Sequence, residues 1–237
     1  MMLSILTLIG SVILGGLVVI YLTKFKKSLI KMLLAFSGGF LLSIAFNHFV
    51  PGLYENGGEQ IGLYILLGFL VQLVLEFFSG GIEHGHIHTH EGARVPLAIL
   101  ISLSVHSFIE GIPLSSGQAL EHAGHVHEGN TSLLMGILFH RFPVAIALMT
   151  LLLSSNLSKV KAWVYLLIFA LTAPLGMWFG QTQLNTGFDF TMLMAIVVGM
   201  FLHISTTIIF ETSENHKFNF VKLLAIVAGA ALAILIH

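Results

Sequence analysis

Apolar residues occupy this chain in eight blocks, each about as long as the roughly 20 residues a helix needs to cross a bilayer, and each ends at a polar cluster or at Gly and Pro. The blocks are 3–23, 28–50, 61–79, 95–115, 132–154, 160–179, 188–210 and 218–236. The pattern predicts an all-α, polytopic membrane protein of eight transmembrane helices. It forms a single transmembrane domain over 1–237, with histidine-rich connections at 80–94 and 117–130. The first block resembles a secretory signal in its apolar run, but it has no basic stretch ahead of it and no small-residue cleavage site. It runs into Thr23-Lys24-Phe25-Lys26-Lys27 and is expected to stay as a span.

Cations test that count. Lys24, Lys26, Lys27 and Lys31 border the first connection, Arg94 the third, Lys159 and Lys161 the fifth, and Lys217 and Lys222 the seventh, while the second, fourth and sixth have neither Lys nor Arg. Eight spans therefore put every loop cation on one side. The positive-inside rule then makes the odd connections cytoplasmic and both termini external, in an inner or plasma membrane. Arg141 alone is left over, in mid-span.

Composition narrows the chemistry. With 56% apolar and 9% charged residues the chain is not a soluble globular domain, where about a quarter of residues are charged. A net charge of −1 gives no electrostatic case for nucleic acid or anionic partners. The absence of cysteine removes disulfides, thiolate zinc sites and iron–sulfur clusters, so any metal must be held by nitrogen and oxygen. The 13 histidines outnumber the 10 Lys and Arg and the 11 Asp and Glu, which points toward such a metal.

Segments two and seven share a short likeness, Gly39-Phe40-Leu41-Leu42-Ser43-Ile44 against Met200-Phe201-Leu202-His203-Ile204-Ser205, and the topology runs them in opposite directions. An inverted repeat of segments 1–3 and 6–8 around 4 and 5 follows, with the substrate site near the midplane on 4 and 5.

Ionisable groups inside a membrane are costly and mark function. His106 and Glu110 in segment 4 are four apart, on one helical face. At about 1.5 Å per residue His106 lies roughly 15 Å from the start of its helix, near the centre of a roughly 30 Å core. His140 in segment 5 enters from the other side to roughly 13 Å. Pro143 cannot donate to the carbonyl of Phe139, so a kink beside His140 is expected, with that oxygen freed for a ligand or water. Two imidazoles and a carboxylate suit a divalent ion such as zinc; the plainer reading of His106 and Glu110 is a hydrogen-bonded pair joining helices.

His106-Ser107-Phe108-Ile109-Glu110-Gly111 and His140-Arg141-Phe142-Pro143-Val144 resemble the fourth- and fifth-span motifs of the ZIP family of zinc/iron permeases. Gly38-Gly39-Phe40-Leu41-Leu42, His48-Phe49-Val50-Pro51 and Glu83-His84-Gly85-His86 are also similar to that family, and the likeness follows all eight spans in order. It implies a metal transporter with alternating access and His106, Glu110 and His140 as metal ligands. It also exposes departures, because the family's usual second-metal ligands are replaced by Arg141, Val144 and Ala173, the last in Ala173-Pro174-Leu175-Gly176. A guanidinium is permanently charged and pairs with carboxylates, so Arg141 is expected to take the place of the second metal, paired with Glu110, in a single-site member. The alternative is that it makes the site non-transporting.

His48, Ser107, His203, Glu76 and Glu211 are candidates for a path through the membrane, packing or interface roles being the alternative for each. Thr207 and Glu211 continue the face of His203, and Gln72 shares a face with Glu76. His84, His86, His88 and His90 inside, and His122, His125 and His127 outside, suit labile metal capture in solvated tracts, lost on protonation near about pH 6.5.

The leading function is inward transport of a divalent transition metal, most simply Zn²⁺, as substrate, with no organic cofactor, no catalytic residue and no partner but the lipid bilayer. Two other classes are open: a membrane metal sensor that binds without conducting, and an intramembrane zinc hydrolase. The small residues Ala228-Gly229-Ala230-Ala231 would permit close helix contact, within one chain or between two copies as a homodimer.

Overall fold

The computed structural model describes residues 1–21, 27–84, 97–115, 128–155, 157–184, 186–210 and 220–236. Nine α-helices appear among them and no strand: α1 Met2–Tyr21, α2 Lys27–Ile44, α3 Val50–Gly57, α4 Ile61–Ser79, α5 Leu97–Gly111, α6 Glu128–Ser154, α7 Lys159–Gln183, α8 Phe190–Phe210 and α9 Phe220–Ile236. Seven spans are long and apolar enough to cross a bilayer, α2 and α3 counting as one over Ser28–Glu55, and α9 is a shorter apolar helix. At 17 residues α9 is about 25 Å long. The eight predicted segments thus appear in order, and the chain is an integral membrane protein.

Local chemistry sets the breaks. A five-residue π turn, Ala45–Phe49, joins α2 to α3, with the Val50 N–H bonded back to the Ala45 carbonyl. The turn falls just ahead of Pro51, whose missing N–H and ring cannot fit a regular α-ladder. Gly80 ends α4 in the left-handed conformation, φ 62°. Ser158 caps α7 by accepting from the Lys161 N–H, and the Asp189 carboxylate caps α8 by accepting from Thr191 and Met192 N–H at 2.9 and 3.1 Å. Pro143 and Pro174 lie inside α6 and α7, which continue through them as α-helix.

One boundary differs from the expectation. The 80–94 segment does not begin as a solvated tract: Ile82–His84 forms a 3-10 turn, and Ile82 and Glu83 are buried. Ile82 belongs to the apolar core, and Glu83 finds an internal hydrogen-bond partner, so both are drawn inward. His86, His88, His90, His122, His125, His127 and Glu211 lie outside the described residues, as does the side chain of His84.

The inverted repeat is visible in how glycines let backbones meet. A Cβ on Gly39 would stand 2.1 Å from the Ile226 carbonyl oxygen, and one on Gly229 would stand 2.0 Å from that of Phe36. Between α4 and α8 the arrangement recurs, Gly68 against the Ile196 oxygen at 1.9 Å and Gly199 against that of Ile65 at 2.0 Å. In each pair the glycine faces the carbonyl three residues before its partner glycine. The relation carries Gly39 onto Gly199 and Gly229 onto Gly68, so the register differs by one residue from the expected pairing of Gly39 with Met200. Short apolar likeness could not resolve it, whereas backbone contact does. Gly176 on the Phe108 oxygen (2.0 Å) and Gly15 on the Phe142 oxygen (2.9 Å) extend the relation to α5–α7 and α6–α1. Phe108 then maps onto Phe142, which makes His106 the counterpart of His140, Ser107 of Arg141 and Glu110 of Val144. Gly229 is thereby committed to a contact within the chain.

Helices that touch through glycine cannot admit a larger residue without separating. Gly68→Leu or Gly199→Leu should destabilise the detergent-solubilised protein by about 1–3 kcal/mol or more, read as a lowered melting temperature. Gly10→Leu, where nothing lies within 4 Å of the new Cβ, should leave it unchanged.

Candidate metal centre

The polar residues of α5, α6 and α7 meet where the two halves face each other. α5 brings His106, Ser107 and Glu110, α6 brings His140 and Arg141, and all five are buried. The His106 and His140 rings stand edge to face with centroids 6.2 Å apart.

His106 Nε2 and Glu110 Oε1 are 2.7 Å apart. Neither atom makes a hydrogen bond of strict geometry among the described residues, and the two form a close ion-pair contact. The other ring nitrogen is engaged, with Nδ1 2.8 Å from Gln72 Oε1 on α4. Among the described residues no three His, Cys, Asp or Glu side chains stand as a finished metal cage. His106 and Glu110 touch, and the His140 ring stands edge to face with that of His106.

Arg141 is placed differently from the expectation. Its guanidinium donates to Ser107 Oγ and to the carbonyls of Phe169 and Ala170 at 2.8 and 3.1 Å, and lies 4.5 Å from the Phe169 ring centroid. An ion pair with Glu110 is not among these contacts. The reason lies in α7: Pro174 has no N–H to give the carbonyl four residues back, which is that of Ala170, and Arg141 supplies the missing donor. Glu110 is still close in the fold, since Ser107 precedes it by three residues on the same face. Ala173, where the resemblance puts a lost ligand, is buried with its carbonyl against Gly111.

Of the path candidates, His203 Nε2 meets Glu76 Oε2 in a direct pair between α8 and α4, with Thr207 Oγ1 3.5 Å from the same nitrogen and Phe69 edge-on at 4.7 Å. His48 is half-buried in the π turn beside Phe49. Sequence reasoning missed two buried residues. Gln72, noted only as a neighbour of Glu76, bonds His106; Glu83, read as part of a solvated tract, bonds Gln72. An amide alone in an apolar span was a usable signal, but its partner 11 residues on, past the glycine turn, was not.

Fold and centre together define a polytopic helical membrane protein with histidine and carboxylate buried at the meeting of two inverted halves. The model of the family described as ZIP Zinc transporter matches residues 82–237, and the chain belongs to that family. It is 26% identical over 175 residues to zinc transporter ZIP9 of Micropogonias undulatus, covering 65% of this chain and 53% of that protein. Against zinc transporter ZIP9-B of Xenopus laevis it is 27% identical over 130 residues, 52% of this chain and 40% of that one. Against protein zntD of Dictyostelium discoideum it is 24% identical over 153 residues, 57% and 21%. The matches span about half or less of these relatives' length.

Arg141→Met should cost about 1–3 kcal/mol, chiefly through the Ala170 carbonyl left without its donor. Pro174→Ala restores an N–H for Ala170, so the same substitution in that background should cost about 1 kcal/mol less. Equilibrium unfolding of the four proteins in one detergent checks the difference.

Proposed function

We propose that this chain carries a divalent transition-metal ion, zinc foremost, inward across the membrane, exposing a single mid-membrane site alternately to its two sides. The observation that carries the reading is the buried contact of His106 Nε2 with Glu110 Oε1 at 2.7 Å, with the His140 ring centroid 6.2 Å from that of His106. A divalent cation would take the place of the proton between these two atoms, and His140, whose ring nitrogens are buried, would be the third ligand. Water or the Phe139 carbonyl, left without its helical N–H by Pro143, completes the tetrahedron.

Arg141 stands in for a second metal. It is a permanent cation held on Ser107 and α7, beside Glu110 and without occupying it, so one site stays available. Family membership favours carriage over hydrolysis, and inward is the direction the resemblance implies. Movement of α5 and α6 is eased where α5 gives way at Gly111 to a 3-10 turn containing Pro113. The His203–Glu76 pair and His48 would serve the path toward the two faces. The protein sits in an inner or plasma membrane with external termini, and a homodimer is compatible with the exposed Ala228 and Ala231 on α9.

Purified protein in proteoliposomes should take up radiolabelled zinc saturably, and His106→Ala should lower the flux at least about tenfold, the loss of one ligand costing that much in affinity. Binding without flux would favour a sensor, and lipid or peptide breakdown without flux a hydrolase. At zinc concentrations that saturate the parent, Arg141→Ala should bind one further ion per chain; unchanged stoichiometry by elemental analysis would refute the replacement.

A further inference from the structure

His106 is the inner end of a buried chain of three side chains. Its Nδ1 lies 2.8 Å from Gln72 Oε1, and Gln72 Nε2 lies 2.5 Å from Glu83 Oε2, with Gln72 and Glu83 both fully buried. The Ser102 hydroxyl donates to the Leu75 carbonyl one turn away, which locks α5 on α4 in the register this chain needs. An amide has a fixed polarity, donating through nitrogen and accepting through oxygen. A carboxylate has no proton to give, so Glu83 pins the Gln72 nitrogen toward itself and turns the amide oxygen to His106. That oxygen can only accept. His106 must then carry a proton on Nδ1, which reserves Nε2, 2.7 Å from Glu110 Oε1, as the nitrogen free to exchange its proton for a cation.

The geometry points to Gln72 and Glu83 as positioning residues that hold His106 in the one tautomer and ring orientation able to ligate a cation at Nε2. The inference rests on the metal-site reading above and deepens it. Metal-bound histidines are generally oriented by an acceptor on the other nitrogen, and loss of that acceptor weakens binding about ten- to a hundredfold. Here the orienting charge sits one amide further away, on the turn after α4. Without it the amide can turn over and present its NH₂ to the imidazole, which moves the proton to Nε2, where it blocks the ligand position.

The experiment uses full-length, zinc-free protein with ¹⁵N-labelled histidine, the His106 signals assigned by their loss in His106→Ala. At a pH high enough to make the ring neutral, the parent should show a protonated Nδ1 and an unprotonated Nε2. Glu83→Gln and Gln72→Leu should each populate the Nε2-protonated form and weaken zinc binding ten- to a hundredfold. The double swap Gln72→Glu with Glu83→Gln keeps the polarity, because the carboxylate at position 72 accepts from both neighbours, and it should restore the Nδ1-protonated form and bring affinity back to within about threefold of the parent. A parent protonated on Nε2, single variants with unchanged tautomer, or a double swap no better than the single variants would overturn the relay. A purely structural role would lower melting temperature without moving the tautomer, and that too would overturn it. If the tautomer responds as expected but neither parent nor variants bind zinc, the relay stands and the metal-site reading falls.

Discussion

A guanidinium does not surrender its charge, and Arg141 is 2% exposed among apolar helices; the centre of this protein is built around that constraint. In hydrocarbon no water is at hand to receive the guanidinium donors, so the protein must supply the acceptors. It does so from two other helices, with the hydroxyl of Ser107 on α5 and the carbonyls of Phe169 and Ala170 on α7, the Phe169 ring lying over the cation. The Ala170 carbonyl is free to accept because Pro174 lacks the N–H that would otherwise claim it. Arginine on α6 and proline on α7 are therefore one device, and together they fix α5, α6 and α7 around the site.

The frame holding that device is nearly symmetric, and its contents are not. Reciprocal glycine contacts between α2 and α9 and between α4 and α8 put the two halves in a common register. His106 and His140 are counterparts, as are Ser107 and Arg141, and both pairs meet across the centre. Counterparts that touch must lie at the axis relating the halves. Against this background Glu110 faces no second acid, because its counterpart is Val144. A frame able to present two equivalent half-sites presents one carboxylate and one fixed cation.

Most of the fold was legible because membrane spans are written in one dimension. A run of about twenty apolar residues fixes a helix, so all eight segments emerged within a few residues. Depth was legible too, since rise per residue places His106 and His140 at one level before any contact is known. What lay hidden depended on partners across helices. The acceptors of Arg141 are backbone oxygens, invisible in a list of side chains, and Pro174 was noted only for the motif around it. Glu83 was misread because polar neighbours in sequence suggested solvent, while Ile82 beside it draws the turn into the core. The repeat register was off by one because apolar residues substitute freely along a helix, whereas a glycine touching a carbonyl has no freedom of place.

These parts combine in the formal charge of the centre. Glu83 and Glu110 stand at the two ends of one buried chain, hydrogen-bonded from Glu83 through Gln72 to His106 and closed by the His106–Glu110 ion-pair contact, and Arg141 sits beside its inner end. With both carboxylates ionised the empty centre carries a formal charge of about −1, and a divalent ion would bring it to about +1, by simple summation of unit charges. The cost of holding charge in a low-dielectric interior grows with its square. Empty and loaded states are then equally burdened, so neither is trapped by its own desolvation. Removing the arginine would leave the empty centre at about −2 and the loaded one neutral, which holds the ion more tightly and releases it less readily. Under the carriage proposed above the ion must be released as well as bound, and a fixed positive charge at the axis would make that release easier.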